Sequence, residues 1–341
     1  MLALQAVTPV QLAAAVPSVT LAEARKLVAQ VHRGEPVAAS SAVRRVAADA
    51  VRAAGAVPQL VIVAETPSAV DPFVKYLLAA PDGARFEAVR IPLERAGRFT
   101  ACVSSQVGCA LGCTFCATGR LGLQRNLAPW EIVEQVRVIR GALPAGRVHG
   151  VVFQGMGEPL ANLDAVLAAI AVLAEPCALG IDARAITVCT AGLPHGIRRL
   201  AAEAPHVRLA ISIGSARAER RAPLMPITRA HALDDVLAAA ADHARATGRA
   251  PMWAVTLLDG VNDGDDDARA LAARARAFEA ATGVVPRLSI IAYNASPGDA
   301  FRRSRREAEF RAVLAAAGLA SHRRYSGGGD VGAACGQLVA R

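Results

Sequence analysis

Cys109, Cys113 and Cys116 stand in the run Val107-Gly-Cys-Ala-Leu-Gly-Cys-Thr-Phe-Cys-Ala-Thr-Gly119, and three thiols so spaced could do redox chemistry. A cubane cluster of four irons needs four ligands, so a Cys-x3-Cys-x2-Cys loop that supplies three thiolates leaves one iron open to an exogenous ligand. Chemistry can start there. The competing reading is a half-built zinc site. Zinc usually brings paired Cys knuckles and a second ligand pair, and no His or Cys pair of that kind follows here. Further along, Gly155-Met-Gly-Glu-Pro-Leu160 follows an apolar run. Its glycines let the backbone come close to a ligand, and Glu158 can accept a hydrogen bond from an ammonium group. Alone, the motif also fits a capped turn that opens a helix.

Such residues need a frame. From about Phe99, apolar strand candidates alternate with Ala-rich helical stretches, the pattern of repeated βα units and a parallel sheet. Strands are expected near 100–104, 148–154, 185–189, 207–213, 252–258 and 287–293, and six such units predict an open, partial barrel. Chemistry in these sheets gathers at the carboxyl ends of the strands. The cysteine loop, Gly155–Pro159, Thr190-Ala-Gly192, Ser212 and Asn294 all fall there.

Ahead of this core, Leu60-Val-Ile-Val-Ala, Val74-Lys-Tyr-Leu-Leu-Ala and Phe86-Glu-Ala-Val-Arg-Ile-Pro92 read as short strands, with a hairpin turn at Asp82-Gly83. The first stretch reads as helices: Thr20 with Glu23 three residues later forms a capping box, and 41–54 repeats a helical period. The division expected is a helical accessory domain at 1–58, a β-hairpin extension at 59–98, and an α/β core at 99–341 whose tail carries Cys335.

At 341 residues the chain can bury a full catalytic core plus one small addition. The longest apolar run, Ala165 to Ala174, suits a buried helix and not a membrane span. The apolar N-terminal stretch lacks early Lys or Arg and is interrupted by Gln5, Pro9 and Gln11, which argues against a signal peptide. Seven cysteines, four of them clustered, do not make a secreted disulfide framework, so a cytoplasmic, reducing location is expected. The net charge of +9 is carried almost entirely by arginine, which would attract a phosphate-rich partner; a composition bias toward Ala and Arg codons explains it equally well.

The cysteine loop resembles that of the radical S-adenosylmethionine (SAM) superfamily. Further motifs narrow the resemblance to the RlmN and Cfr group of RNA adenosine methyltransferases: Cys102-Val-Ser-Ser-Gln-Val-Gly108, Val151 to Asn162, Leu224-Met-Pro-Ile227, Leu258-Asp-Gly-Val-Asn-Asp263 and Asp330-Val-Gly-Ala-Ala-Cys-Gly-Gln-Leu338. They run in the family's order from about residue 87 to the C-terminus. The resemblance implies a radical SAM barrel with a [4Fe–4S] cluster held by Cys109, Cys113 and Cys116. It also implies two SAM molecules per turnover and methylation of an sp2 ring carbon, C2 or C8, of an adenosine in 23S rRNA or tRNA.

In that route Cys335 takes a methyl from the first SAM, a deoxyadenosyl radical from the second removes hydrogen from it, and the carbon radical adds to the adenine. Cys102 then resolves the adduct through a transient disulfide, and Glu87 matches the position proposed as base. Gly157, Glu158, Cys189, Ser212, Ile213, Gly214 and Asn294 map onto SAM-contacting positions. The implied partners are RNA and a flavodoxin or ferredoxin as electron donor, with a monomeric protein and no membrane.

Three places depart from the family's pattern: Cys189-Thr-Ala-Gly192 for Ser-Thr-Ser-Gly, Ser212-Ile-Gly-Ser215 for Ser-Leu-His-Ala, and Tyr325-Ser-Gly-Gly-Gly-Asp330, which lacks an Arg before its Gly-x-Asp. They suggest a diverged paralogue. Arg302, Arg303, Arg305 and Arg306 could touch an RNA backbone or form a solvated helix face. Rival readings are a methylase of a peptide or small molecule, and a non-catalytic iron–sulfur module.

Overall fold

The computed structural model describes residues 1–295 and 299–340. Two short strands, β1 (Leu2–Ala3) and β2 (Gly55–Ala56), pair in parallel and bracket helices α1 (Pro9–Ala15), α2 (Leu21–Arg33) and α3 (Arg45–Ala54). The expected capping box forms: Thr20 Oγ1 accepts from Glu23 N–H at 3.3 Å, and the Glu23 carboxylate accepts from Thr20 N–H at 3.0 Å. α3 starts later than its apolar period suggests because Ser40 and Val43 bond each other in a tight turn first. The three helices close a small core of their own around Leu27, Val28, Ala47 and Val51.

A meander follows: β3 (Val61–Pro67), β4 (Val74–Ala79) and β5 (Arg85–Pro92), with the turn at Asp82-Gly83, pair antiparallel and continue into β6 (Arg98–Val103). The chain then leaves the sheet as a hairpin, β7 (Gln106–Cys109) and β8 (Gly122–Asn126), which encloses the one-turn α4 (Ala117–Arg120). Helix α5 (Pro129–Gly141) returns it to β9 (Arg147–Phe153), parallel to β6. The alternation continues as α6 (Leu163–Ala174), β10 (Ile186–Thr190), α7 (Pro194–Glu203), β11 (Arg208–Ser212), α8 (Ala218–Leu224), α9 (Leu233–Thr247), β12 (Met252–Leu257), α10 (Asp265–Thr282), β13 (Arg287–Ala292), α11 (Glu307–Ala316) and β14 (Ser321–Arg324). All six predicted core strands are present to within two residues. β14, a seventh parallel strand, gave no signal, because Ser-His-Arg-Arg at a sheet edge has no buried alternation to display.

The ten strands form one open sheet in the order β14-β13-β12-β11-β10-β9-β6-β5-β4-β3. Side chains from β6, β9, β10, β11, β12, β13 and β14 all line a single cavity. Laid flat, six spacings of about 4.8 Å would put β6 and β14 about 29 Å apart. Yet Cys102 on β6 and Arg324 on β14 lie close enough to shift each other's ionisation, so the sheet curls round the cavity. Among the described residues no helix is long and apolar enough to cross a membrane.

Candidate functional site

The segment that leaves β6 and the loop after β9 are knitted together. Ser104 Oγ accepts from Met156 N–H and donates to the Glu87 carbonyl, while Ser105 and Gln106 N–H donate to the Met156 carbonyl. Gln106 Oε1 then accepts from Glu158 N–H at 2.8 Å. The contact is tight enough to dictate glycine: Gly157 has φ of 99°, and a Cβ there would meet the Gln106 side chain at 2.5 Å. Glu158 is thereby buried with its carboxylate accepting from Leu160 N–H at 3.0 Å and Ala191 N–H at 2.8 Å. Burial pushes its pKa up, against those two donors. A cation bound beside it would gain by relieving that cost.

Cys109, Cys113 and Cys116 line the same cavity, of about 230 Å³, together with Gly157, Glu158 and Cys189. Burial raises the Cys109 thiol to about 11 and the Cys113 thiol to about 12, helped by their thiol neighbours and Glu158. Among the described residues, no three His, Cys, Asp or Glu side chains gather closely enough to share one metal ion. A cluster takes each thiolate on a different iron and needs no such convergence. Glycines let the loop close on itself: Gly112 has φ of 65°, and a Cβ at Gly119 would strike the Cys113 backbone at 2.9 Å. The donor set therefore fits an iron–sulfur cluster that these three cysteines would hold, in the cavity that Glu158 and the end of β10 also line.

The C-terminal tail closes the cavity. Gly336 carbonyl accepts from Ala117 N–H at 2.7 Å, and Leu338 carbonyl from the Thr118 hydroxyl at 2.7 Å, so the tail is bonded to the cysteine loop itself. Cys335 N–H donates to Ser326 Oγ at 2.8 Å, and its side chain faces the cavity with Cys102 and Cys189. All seven cysteines are free thiols. Burial drives Cys102 far up and Cys189 to about 12.

The other sequence-predicted residues divide. Ser212 lines the cavity, whereas Ile213 is fully buried in the core. Gly214 lies at the cavity with φ of 68°, and a Cβ there would strike Met225 Sδ at 2.5 Å, so Met225 packs where a side chain at this position would start. Behind it the buried Arg221 donates to the carbonyls of Ile213 and Ala191, at 2.9 and 2.7 Å, tying the ends of β11 and β10.

Asn294 points at the tail: its amide donates to Ser326 Oγ at 3.1 Å and lies 3.5 Å from the Cys335 carbonyl. Glu87 does not line the cavity. It is buried under the tail, paired with Lys75 Nζ at 3.0 Å and accepting from Val339 N–H at 2.8 Å. The missing Arg before the Gly-x-Asp has a cause as well, since a Cβ at Gly327 would meet Asp71 and the Phe73 ring at 2.5 Å. Of the basic run before α11, Arg306 is taken by Asp265 at 2.6 Å.

Arg324, at the end of β14, escaped sequence reasoning because the strand itself did. It lines the cavity against the thiols of Cys335, Cys189 and Cys102, and its buried Nη1 has no partner. Burial opposes its charge, but the three facing cysteines outweigh that and push its pKa above the ordinary arginine value.

Fold and site together define a radical SAM protein, and residues 103–273 match the model of the radical SAM superfamily. Over its whole length the chain superposes on a radical SAM methyltransferase from Sphaerobacter thermophilus with a TM-score of 0.88 at 34% identity, covering 100% of both chains. It is 60% identical to a probable RNA methyltransferase of Sorangium cellulosum, over 94% of this chain and 88% of that one. With the dual-specificity RNA methyltransferase RlmN of Syntrophobacter fumaroxidans it shares 45% identity over 78% of this chain and 76% of the relative. The chain belongs to the RlmN type of radical SAM RNA methyltransferases.

Proposed function

We propose that this enzyme methylates C2 or C8 of an adenosine in 23S rRNA or tRNA, by way of a methyl group carried on Cys335 and with two SAM molecules per turnover. The observation that carries the reading is the tail: Cys335 stands in one cavity with the three cluster cysteines and Cys102, and its neighbours Gly336 and Leu338 are bonded to the cysteine loop. A ring carbon between two nitrogens is electron-poor and does not attack a sulfonium as a nucleophile would, so a polar transfer from SAM to the base is the wrong chemistry. When bound, a [4Fe–4S] cluster supplies the electron that cleaves SAM to a deoxyadenosyl radical, the electron itself coming from a flavodoxin or ferredoxin. Glu158, desolvated and facing the cavity, receives the ammonium group of SAM.

The protein's part is to hold, and then release, carbon. Cys335 sulfur accepts the methyl group and, after coupling, tethers the base through a thioether; the adduct radical returns one electron to the oxidised electron carrier and gives its ring proton to a base, a role Glu87 can take once the tail that covers it is displaced. Cys102 thiolate then attacks Cys335 sulfur. An S–S bond forms, the C–S bond breaks, its electron pair passes to the methylene carbon, and a proton completes the methyl group. A thiol reductant restores both cysteines. The departures at Cys189, Gly214 and Gly327, with a match to RlmN over 78% of the chain against 94% for the other relative, favour a paralogue with its own target adenosine.

The test is mass spectrometry of nucleosides from 23S rRNA and tRNA transcripts incubated with reconstituted enzyme, SAM and reductant. Wild type should yield a methyladenosine, Cys102→Ala should stall with RNA covalently attached, and Cys335→Ala should give neither. Methyladenosine formed by Cys335→Ala would end the proposal.

A further inference from the structure

The amino ends of the core strands carry a feature the reaction does not use. Arg98 and Arg147 head β6 and β9 and face each other as register partners. Arg208 heads β11, Arg287 heads β13 opposite Met252, and Arg249 stands just before β12, held by the Pro205 carbonyl at 3.1 Å. Arg95 adds a sixth cation on the loop before β6. Arg95, Arg147, Arg208 and Arg287 are exposed.

The row is electrically continuous. Arg98 is lowered first by Arg95, and His149 by burial and then by Arg98 and Arg147; after its own burial, Arg208 is lowered by Arg287 and Arg249. Asp182 lies within it but is taken by Arg184 at 2.8 Å. Arginine-rich composition alone does not make such a row. Elsewhere many of the arginines are neutralised: Arg120 with Asp299, Arg125 with Glu131 and Asp82, Arg199 with Asp164 and Glu203. Among the described residues the six at the strand heads have no carboxylate at ion-pair distance.

We infer that this row is a second RNA-binding surface, which takes backbone phosphates of the substrate remote from the target nucleotide. From β6 to β13 it follows five strand spacings, about 24 Å along the edge, and strands of five to seven residues separate it from the cavity by about 20 Å. An RNA reaching both ends must wrap the side of the sheet. Guanidinium groups on a sheet edge carry no base-reading pattern, so the contact gives affinity and orientation, not sequence. Binding energy spent this far from the reacting carbon is shared by ground and transition states; it lowers KM and leaves kcat alone. The electron donor is a poorer occupant, because it must approach the cluster at the opposite end.

The inference builds on the RNA reading above, and its test separates the two. The variant Arg98→Ser/Arg147→Ser/Arg208→Ser/Arg287→Ser is compared with the matching Arg→Lys variant in the reconstituted holoenzyme. Binding of total tRNA and of a 23S rRNA transcript is followed by anisotropy across a salt series. The Ser variant should bind at least tenfold more weakly near 0.1 M salt. Its slope of log K against log salt should be flatter by about three, at about 0.7 per lost single-strand phosphate contact. The Lys variant should keep the slope, and SAM cleavage without RNA should match wild type in both.

Should the fourfold Ser variant unfold, Arg147→Ser and Arg208→Ser singly should each flatten the slope by somewhat less than one. An unchanged slope in folded protein overturns the inference, as does a change confined to the KM for flavodoxin. Because the slope is read without turnover, a missing methyladenosine would count against the proposed reaction and not against this surface.

Discussion

The two ends of the same parallel strands use charge in opposite ways. At the carboxyl ends, thiols, Glu158 and Arg324 are desolvated and face one another in a cavity, so each group's ionisation depends on its neighbours. At the amino ends four of the six arginines are exposed, where a charge is largely screened beyond about 10 Å and the contributions to a partner add. The sheet thus separates a place for chemistry, where one substitution should be decisive, from a place for holding, where effects should add in small steps.

The largest effect tests that separation directly. Cys113→Ala should reduce bound iron to background and abolish methylation, yet leave the melting temperature nearly unchanged. The loop keeps its backbone bonds, Thr114 N–H to the Leu224 carbonyl and Ala117 N–H to the Gly336 carbonyl. Iron analysis and calorimetry of the same preparation decide it. A large loss of stability would mean that the cysteine loop holds the fold as well as the chemistry.

Next comes Arg324→Met. Among the described residues that line the cavity, Arg324 is the cation facing Cys102, Cys189 and Cys335, and removing it leaves the buried Cys102 and Cys189 thiols still harder to ionise. Alkylation of Cys335 in the cluster-free protein should slow several-fold, and Arg324→Lys should recover part of the rate. Equal rates in all three proteins would make Arg324 a packing residue.

Glu87 separates two roles. Its carboxylate both pairs with Lys75 and receives Val339 N–H, so it latches the tail whether or not it also removes a proton. Glu87→Gln keeps an acceptor for Val339 but takes no proton; kcat should fall strongly while the tail stays as resistant to protease as in wild type. Glu87→Ala should free the tail. If Glu87→Gln turns over normally, the carboxylate is a latch alone.

These residues also show how far the sequence could be read. The six core strands announced themselves by apolar runs, and the motif residues fell at their carboxyl ends because βα topology puts loops there. Spacing within one loop is local information, so Cys109, Cys113 and Cys116 could be read as a set. What Glu87 and Asn294 touch is decided by a tail some 250 and 40 residues further on, and no periodicity encodes that. β14 was silent since an edge strand of polar residues has no core face to imprint a pattern, and Arg324 went unseen with it. Gly214 and Gly327 read as losses from the family's pattern; in the fold each makes room for a neighbour, Met225 in one case and Asp71 with Phe73 in the other.

The smallest effect lies away from both strand ends, where the N-terminal helices pack on α5. His32 on α2 is buried with both ring nitrogens unpartnered, and burial, then Arg137 and Arg140, press its pKa down to about 3. Unfolded, it titrates near 6.5. Between those values the unfolded chain binds a proton that the folded chain refuses, so stability present above pH 6.5 is lost as pH falls, by up to about 1.4 kcal/mol per pH unit. His243 on α9, lowered by burial to about 4, adds in the same direction. Denaturant unfolding of wild type and His32→Leu at pH 7 and pH 5 isolates the first residue. The variant should lose distinctly less stability on acidification, since leucine removes the titrating group and leaves no orphaned nitrogen. Parallel losses in both proteins would show that His32 finds a proton partner in the folded state, and that this packed face of the molecule is wetter than its burial indicates.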